Sequence, residues 1–507
     1  MRLSNEALAD RFLWEEKGYR LPAYDRSDML AKTLAAPVWI HFGAGNLFKA
    51  FQADICQKLL DEGLIDTGII AVERHSKHVD HHDDLTVKVT LKADGSVEKD
   101  VIGSVAETLF LYENEEALKE LFEKPSLQMV SFTITEKGYS LPDAAADFSG
   151  AYLKTSSYMG RITALLYARY RSCASPLAMV SMDNCSHNGD KLKTAITYFA
   201  EKLGDDAFCH WLDTSVSFPW TMIDKITPGP SSDVADMLCA DGLDGDTPFV
   251  NAEESEYLVI EDAFPNGRLP LEKAGIYFTD RETVDRVERM KVCTCLNPLH
   301  TALAIFGCLL GYDRIWKEMK DEDLRTLVTR IGYEEGLPVV TDPGIIDPRD
   351  FLDTVVNVRL PNPFMPDMPQ RIATDTSQKL PIRFGQTIKA YLASDHLQVS
   401  DLKMIPLVYA GWLRYLMAVD DQGQAFIPSP DPLLSAVQTY LDEFRLGEVP
   451  DTCAVIGKLE PLLRNSSIFG VDLVDAGLAE KVCEEFRGML EGARAVRRRL
   501  SYLPLCK

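Results

Sequence analysis

Apolar positions in the first half of the chain fall into short runs separated by stretches of helical spacing. Pro37-Val-Trp-Ile-His-Phe42 is a run of strand type, and it passes directly into Gly43-Ala-Gly45-Asn46-Leu47-Phe48. Beyond it Leu47, Phe48, Phe51, Ile55, Leu59 and Leu60 recur with helical periodicity, which predicts an amphipathic helix stopped near Gly63. Gly68-Ile-Ile-Ala-Val-Glu73 is a second strand. Further strands are predicted at 86–91, 129–135 and 177–182, with helices over 113–122 and 160–171 between them. Alternating strand and helix implies an α/β fold with a doubly wound, Rossmann-type parallel sheet.

From about residue 286 the texture changes. Helical patterns dominate at 287–310, 324–335, 385–393, 405–419, 432–444 and 478–500. The expected organisation is an N-terminal dinucleotide-binding domain over 1–285, led by a helix-and-loop extension over 1–36. A mostly α-helical domain over 286–507 follows, to which the resemblance described below assigns substrate binding and catalysis.

Composition narrows the class. The 507 residues are 46% hydrophobic and 26% charged, ordinary for a globular chain with room for two large domains. A formal charge of −24 argues against nucleic acid or an anionic membrane surface as partner. The apolar run at 303–310 is too short to span a bilayer, and that at 405–419 carries Arg414. The N-terminus reads as polar, without the apolar core of a signal peptide. Eleven scattered cysteines, an odd number, suit reduced thiols and a cytoplasmic protein.

Two clusters invite a metal reading. Cys293 and Cys295 have no second cysteine pair near them. His75, His78, His81 and His82 beside Asp83 and Asp84 offer donors of the right chemistry, but no distant ligands complete a set. They read as a solvated polar segment, and no metal is expected.

Gly43 and Gly45 match the first two glycines of a dinucleotide-binding turn. The first permits the tight turn; the second admits the pyrophosphate to the helix N-terminus. Phe48 occupies the third position. Glu73, ending the next strand, suits the adenosine ribose hydroxyls and disfavours a 2′-phosphate, so NAD is the expected cofactor. Arg74 follows immediately and blunts that preference.

These motifs resemble the mannitol dehydrogenase family of long-chain polyol and sugar-acid dehydrogenases. The resemblance runs from residue 38 to 432. Leu47-Phe48-Lys-Ala-Phe-Gln52 is similar to the family's Phe-His-Arg-Ala-His-Gln, with Phe at both His positions and Lys for Arg. More specific are Thr133-Ile-Thr135-Glu136-Lys-Gly-Tyr139, Ser181-Met-Asp183-Asn184-Cys-Ser-His-Asn188-Gly189, Val216-Ser-Phe-Pro-Trp-Thr-Met-Ile-Asp224-Lys225-Ile-Thr-Pro228, Glu261-Asp-Ala-Phe-Pro-Asn-Gly267-Arg268 and Asp375-Thr-Ser-Gln-Lys379-Leu-Pro. The catalytic word is Glu288-Arg-Met-Lys291-Val-Cys-Thr-Cys-Leu-Asn297-Pro-Leu-His300.

Oxidising a secondary alcohol needs a base for the hydroxyl proton while hydride leaves for nicotinamide, and a lysine serves if its surroundings lower its pKa. The resemblance assigns that role to Lys291. It implies Asn184 and Asn297 as amide donors to the developing alkoxide, and His300 as the group positioning a substrate hydroxyl. Glu288 matches the carboxylate that gates proton exit. Asp224, Arg371 and Lys379 would grip the remaining substrate oxygens, with Lys225 and Arg383 as further basic groups. Gly43, Gly45, Asn46, Leu47, Phe48, Glu73, Arg74, Thr135 and Glu136 form the implied cofactor set. Read without the resemblance, Lys291 is a solvated helix lysine, His300 a core histidine, Arg371 and Lys379 loop charges, and Glu136 a loop-ordering residue. Asn188 reads as a helix-capping turn residue.

One spacing departs from the family. Asn297 stands six residues after Lys291 instead of five, and Pro298 follows where a small residue is usual. On a regular helix one extra residue rotates the lysine by about 100° relative to the asparagine. A π-bulge within 292–296 would absorb it.

The implied substrate is a small sugar acid or polyol. The motif wording favours D-fructuronate/D-mannonate interconversion, with mannitol 2-dehydrogenase or tagaturonate reductase activity as alternatives and a non-catalytic NAD-binding protein as a remote one. Monomer and homodimer are both compatible.

Overall fold

The computed structural model describes residues 1–75, 82–141 and 157–502. The chain divides into two compact units, Met1–Asp285 and Arg286–Lys507.

The first unit is built on a six-stranded sheet. Its strands lie in the order Val105–Phe110, Ile69–Glu73, Trp39–Phe42, Met129–Phe132, Leu177–Ser181, Val216–Ser217. Every neighbouring pair is parallel. Numbered along the chain within this sheet, that is 3-2-1-4-5-6, the doubly wound arrangement of the Rossmann fold. The direction of winding reverses between Trp39–Phe42 and Met129–Phe132.

Both faces of the sheet are covered, which is why its strands read as unbroken apolar runs. Ile40, Phe42, Ile70, Val72, Val130 and Phe132 pack into one core cluster. Trp39, Ile69, Ala71 and Met129 pack with Phe48, Ile55 and Leu59 into the other. His41 is wholly buried between Ser131 Oγ (2.7 Å) and Thr133 Oγ1 (2.9 Å). Burial holds its imidazole down at about 3, so it is neutral.

The strand Thr86–Leu91 does not join this sheet. It pairs antiparallel with Val97–Ile102 across an Asp94-Gly95 turn. That hairpin sits in a separate four-stranded sheet with Tyr19–Arg20 and Phe249–Glu253. The Asp-Gly pair between two apolar runs is a hairpin signal, and here it overrides the strand–helix alternation. A three-stranded sheet of Thr221–Asp224, Tyr257–Glu261 and Tyr277–Thr279 completes the unit.

The second unit is helical. Its central helix, Asn297–Leu310, buries eleven of its residues. The run Arg281–Leu310 is apolar and long enough to cross a membrane, but 78% of its apolar window is buried within the protein. Met404–Leu416 is buried along its whole length. Arg414, fully buried on it, donates to the carbonyls of Val419 and Asp420 just past the helix end.

Three predicted helices are corrected. The 287–310 pattern breaks into Arg281–Met290, a π-helical turn at Lys291–Cys295, and Asn297–Leu310. The 478–500 pattern divides into Ala479–Met489 and Ala495–Ser501, because Gly492 leaves helical space with φ 124°. The 432–444 pattern yields only Leu434–Gln438, followed by turns. Further π-turns lie at Ile331–Gly336 and Val355–Arg359, and one opens the first unit's Gly-turn helix at Phe48–Gln52.

Candidate active site

In the first unit the Gly-rich turn stands at the point where the winding reverses, the place where open α/β sheets bind ligands. Gly43 leaves the Trp39–Phe42 strand with φ 96°, and its N–H donates to the Val72 carbonyl at 2.9 Å. A Cβ there would lie 2.2 Å from the Thr133 carbonyl oxygen. A Cβ on Gly45 would meet no protein atom within 4 Å. Gly45 and Asn46 are exposed at the head of the helix, leaving the helix N-terminus clear for an anionic pyrophosphate. Leu47 is half-buried. Phe48 is fully buried and stacks on His41, with ring centroids 4.2 Å apart. Its side chain supports the turn from beneath.

A cavity of about 440 Å³ opens beside the turn, lined by Gly43, Arg74, Ile134, Lys137, Ser157 and Tyr158 among others. Arg74 lies 5.8 Å from the Tyr112 ring, on which His75 stacks. Glu73 ends its strand half-buried. His78 and His81 lie outside the described residues. His82 is buried, its Nδ1 3.1 Å from the Leu3 carbonyl.

One carboxylate organises the loop bordering this cavity. Asp183 accepts from the backbone N–H groups of Ile134 (3.1 Å) and Thr135 (2.7 Å) and from the Tyr139 hydroxyl. Thr135 is thereby held at φ 66°. Burial pushes the Asp183 carboxyl up from its ordinary value, with those three hydrogen bonds opposing. Glu136 points outward in an ion pair with Lys191. Asn184 is exposed on the bend after Leu177–Ser181. Asn188 is fully buried: its Nδ2 donates to the Asp183 and Thr221 carbonyls, and its Oδ1 accepts from the Thr221 N–H. Asp224 ends its strand at 4% exposure. The Lys225 side chain beside it is buried and donates to Glu256 Oε2 at 2.9 Å and the Glu253 carbonyl at 2.7 Å.

In the second unit Lys291 opens the π-turn, 4% exposed. Its carbonyl accepts from the Leu296 N–H five residues on, at 3.1 Å. The expected π-turn is thus present, at Lys291–Cys295. Leu296 then leaves helical geometry (φ −126°, ψ −61°), and the next helix starts at Asn297 with Pro298 in its first turn, where a missing N–H costs nothing. Glu288 is half-buried one turn before Lys291.

His300 Nε2 is buried 3.5 Å from Asp367 Oδ2 and has no hydrogen-bond partner. Burial works to raise the Asp367 carboxyl, but His300, Arg359 and Arg371 bring it below its ordinary value. Arg371 itself is exposed. Lys379 Nζ donates to the Ile372 carbonyl at 2.9 Å and to that of Thr374. Burial, reinforced by Arg383, lowers its ammonium to about 8, against the pull of Asp375 and Asp431. Arg383, lowered to about 10 by burial, reaches Thr301 Oγ1 and the Asn297 carbonyl.

Two profiles of one family match the chain in order: the mannitol dehydrogenase Rossmann domain over residues 38–273 and the mannitol dehydrogenase C-terminal domain over 283–490. The chain belongs to the mannitol dehydrogenase family. It is 47% identical to a D-mannonate oxidoreductase of Thermotoga maritima, over 99% of this chain and 98% of that one. A polyol:NADP oxidoreductase of Gluconobacter oxydans is 30% identical, covering 80% and 85%. Among solved structures, Pseudomonas fluorescens mannitol 2-dehydrogenase in ternary complex with NAD and D-mannitol aligns at TM-score 0.70 and 28% identity over 99% of both chains. Substrate-free D-sorbitol dehydrogenase aligns at TM-score 0.75 and 26% identity, covering 92% and 97%.

This member of the mannitol dehydrogenase family is therefore an oxidoreductase of polyols or sugar acids on a Rossmann-type fold. Sequence reasoning passed over Lys137, Ser157 and Tyr158 in the family's first domain and gave Asp183 no role. The sheet order, which brings residues 133–140 against the Gly43 turn, reveals Lys137 and Asp183, and the cavity lining adds Ser157 and Tyr158.

Proposed function

We propose that the chain interconverts D-fructuronate and D-mannonate with NAD(H), Lys291 acting as the acid/base. The observation that carries the reading is the buried Lys291 at the head of a π-turn. A π-turn there is what the six-residue Lys291–Asn297 interval requires if the two side chains are to face one substrate. The 47% identity with the D-mannonate oxidoreductase supports the substrate.

NADH, when bound at the Gly43–Asn46 turn, would supply hydride for the keto carbon. The chain's own groups handle the rest. The Lys291 ammonium gives its proton to the carbonyl oxygen as the hydroxyl forms, and takes it back in the oxidative direction. Asn184 and Asn297 are the amide donors for the oxygen as charge develops on it, and His300 holds a neighbouring hydroxyl. Glu288 relays the lysine's proton to solvent. Lys379 and Arg371 hold the substrate carboxylate, with Arg383 behind them, and Asp224 accepts from a distal hydroxyl. Glu73 takes the adenosine ribose hydroxyls and sets NAD above NADP, against the influence of Arg74.

NADH consumption with D-fructuronate, D-fructose and D-tagaturonate, repeated with Lys291→Ala, tests the reading. Strong turnover on fructuronate, lowered by about 10²–10⁴-fold in the variant, is expected. Preference for fructose would move the assignment to mannitol oxidation. Activity surviving the loss of Lys291 would remove it as the proton donor.

A further inference from the structure

The helical unit holds a second cavity, of about 350 Å³, whose walls the reaction above does not use. Arg330, Lys403, Lys481 and Arg499 line it against Glu484 and Glu485. Four basic side chains line the recess beside two acidic ones, in a chain of net charge −24. Met404, Pro406 and Leu407 add an apolar wall, and Tyr502 is a largely exposed part of the lining.

Arg330 decides what the recess is for. It is 8% exposed, and its Nε donates to Glu334 Oε2 at 2.9 Å. Its Nη1 is buried with no hydrogen-bond partner. An unmet donor on a buried guanidinium is costly, and a planar fork of N–H groups is matched by the oxygens of a carboxylate or phosphate.

The other cations are only partly engaged. Lys481 donates to the carbonyls of Ser400 and Leu402. Arg499 stands 3.9 Å from Glu485 and from Glu491, beyond hydrogen-bond reach. Lys403 carries an exposed side chain. Burial raises the Glu485 carboxyl, opposed by Arg499 and assisted by Glu484. The N-terminus of the Met404–Leu416 helix is already taken, since Glu335 accepts from the N–H groups of Lys403, Met404 and Ile405 at 2.6–2.9 Å. The side chains are what remain for a ligand.

We propose that this cavity is a binding site for a small multivalent anion, a phosphate ester or a polycarboxylate, gripped by Arg330 with Lys403, Lys481 and Arg499 around it. The site is distinct from Lys291, Asn297 and His300, none of which lines it.

The test is isothermal titration of the full-length protein, saturated with NADH so that the dinucleotide turn does not compete. Inorganic phosphate and citrate are the probes, with sodium chloride at matched ionic strength as control. Saturable binding of either probe is expected, weakened at least tenfold in Arg330→Met and in Lys403→Glu. Lys403→Glu reverses an exposed charge and leaves the buried contacts intact, so it reads the site even if Arg330→Met folds poorly. Binding of phosphate alone would mark a phosphate ester as the ligand class, and of citrate alone a polycarboxylate. No binding above the chloride control, or binding that Lys403→Glu leaves unchanged, overturns the proposal.

Discussion

Gly336 and Thr294 meet where two π-turns of the helical unit pack together. A Cβ on Gly336 would lie 2.8 Å from Thr294 Cγ2, closer than carbon atoms approach. Thr294 belongs to the turn that Lys291 opens, and Gly336 closes the turn Ile331–Gly336. Gly336→Ala therefore pushes directly on the segment that sets the lysine's direction. We expect kcat to fall by about tenfold or more, since a displacement near 1 Å at a reacting group has effects of that size. NADH affinity, set in the other unit, should hold. Steady-state kinetics beside NADH fluorescence titration separates the two, and an unchanged kcat would detach the Ile331–Gly336 turn from catalysis.

The two glycines of the nucleotide turn should behave differently. Gly43→Ala places a methyl 2.2 Å from the Thr133 carbonyl oxygen at φ 96°. It should cost on the order of 3 kcal/mol of stability through strain and overpacking. Gly45→Ala meets no protein atom, so the melting temperature should stay put while NADH binding weakens by roughly tenfold or more, because the methyl fills space meant for the pyrophosphate. Differential scanning fluorimetry and NADH titration of both variants check this. Wild-type NADH affinity in Gly45→Ala would show that the cofactor does not approach that backbone.

Asn188 joins three segments through one buried amide, so its loss should appear as instability. Asn188→Ala leaves the Thr221 N–H and two carbonyl contacts without their partner. The expected loss is on the order of 3 kcal/mol, from stranding buried backbone groups. Urea unfolding measures it. KM values for both substrates should remain within about twofold, well under the tenfold that 1.4 kcal/mol of lost binding would bring. A large KM rise with stability intact would give Asn188 a role at the ligand instead.

The parallel sheet was legible because a strand buried on both faces carries an uninterrupted apolar run, as in Trp39–Phe42 and Ile69–Glu73. Val105–Phe110 was not, since Glu107 and Thr108 interrupt it, and Val216–Ser217 is only two residues long. The 86–91 strand was recognised and misplaced, because the Asp94-Gly95 turn was not weighed against the alternation around it. The π-turn at Lys291–Cys295 was foreseeable only from a one-residue spacing against a family pattern. The one at Phe48–Gln52 leaves no such trace in hydrophobic periodicity. Asp183 shows no role in its Ser181–Gly189 motif, because its partners are backbone groups some fifty residues away. Such a contact exists only once strand order is known.

Lys379 gives the reading a pH signature. Its folded ammonium titrates at about 8, below the ordinary lysine value, through burial and the nearby Arg383. The charged form is present below that pH and lost above it. If it holds the substrate carboxylate, KM for D-fructuronate stays low up to about pH 8 and then climbs, by at most tenfold per unit of pH for a single ionisation. D-Fructose, which has no carboxylate, should show no such rise. Lys379→Arg should carry the low-KM range upward, since a guanidinium keeps its charge. Folding has its own sign: the unfolded lysine binds its proton more tightly, so this group adds stability as pH rises from about 8 toward the ordinary lysine value. Parallel KM profiles for the two sugars would take Lys379 away from the carboxylate and leave it as the residue that ties down the carbonyls of Ile372 and Thr374.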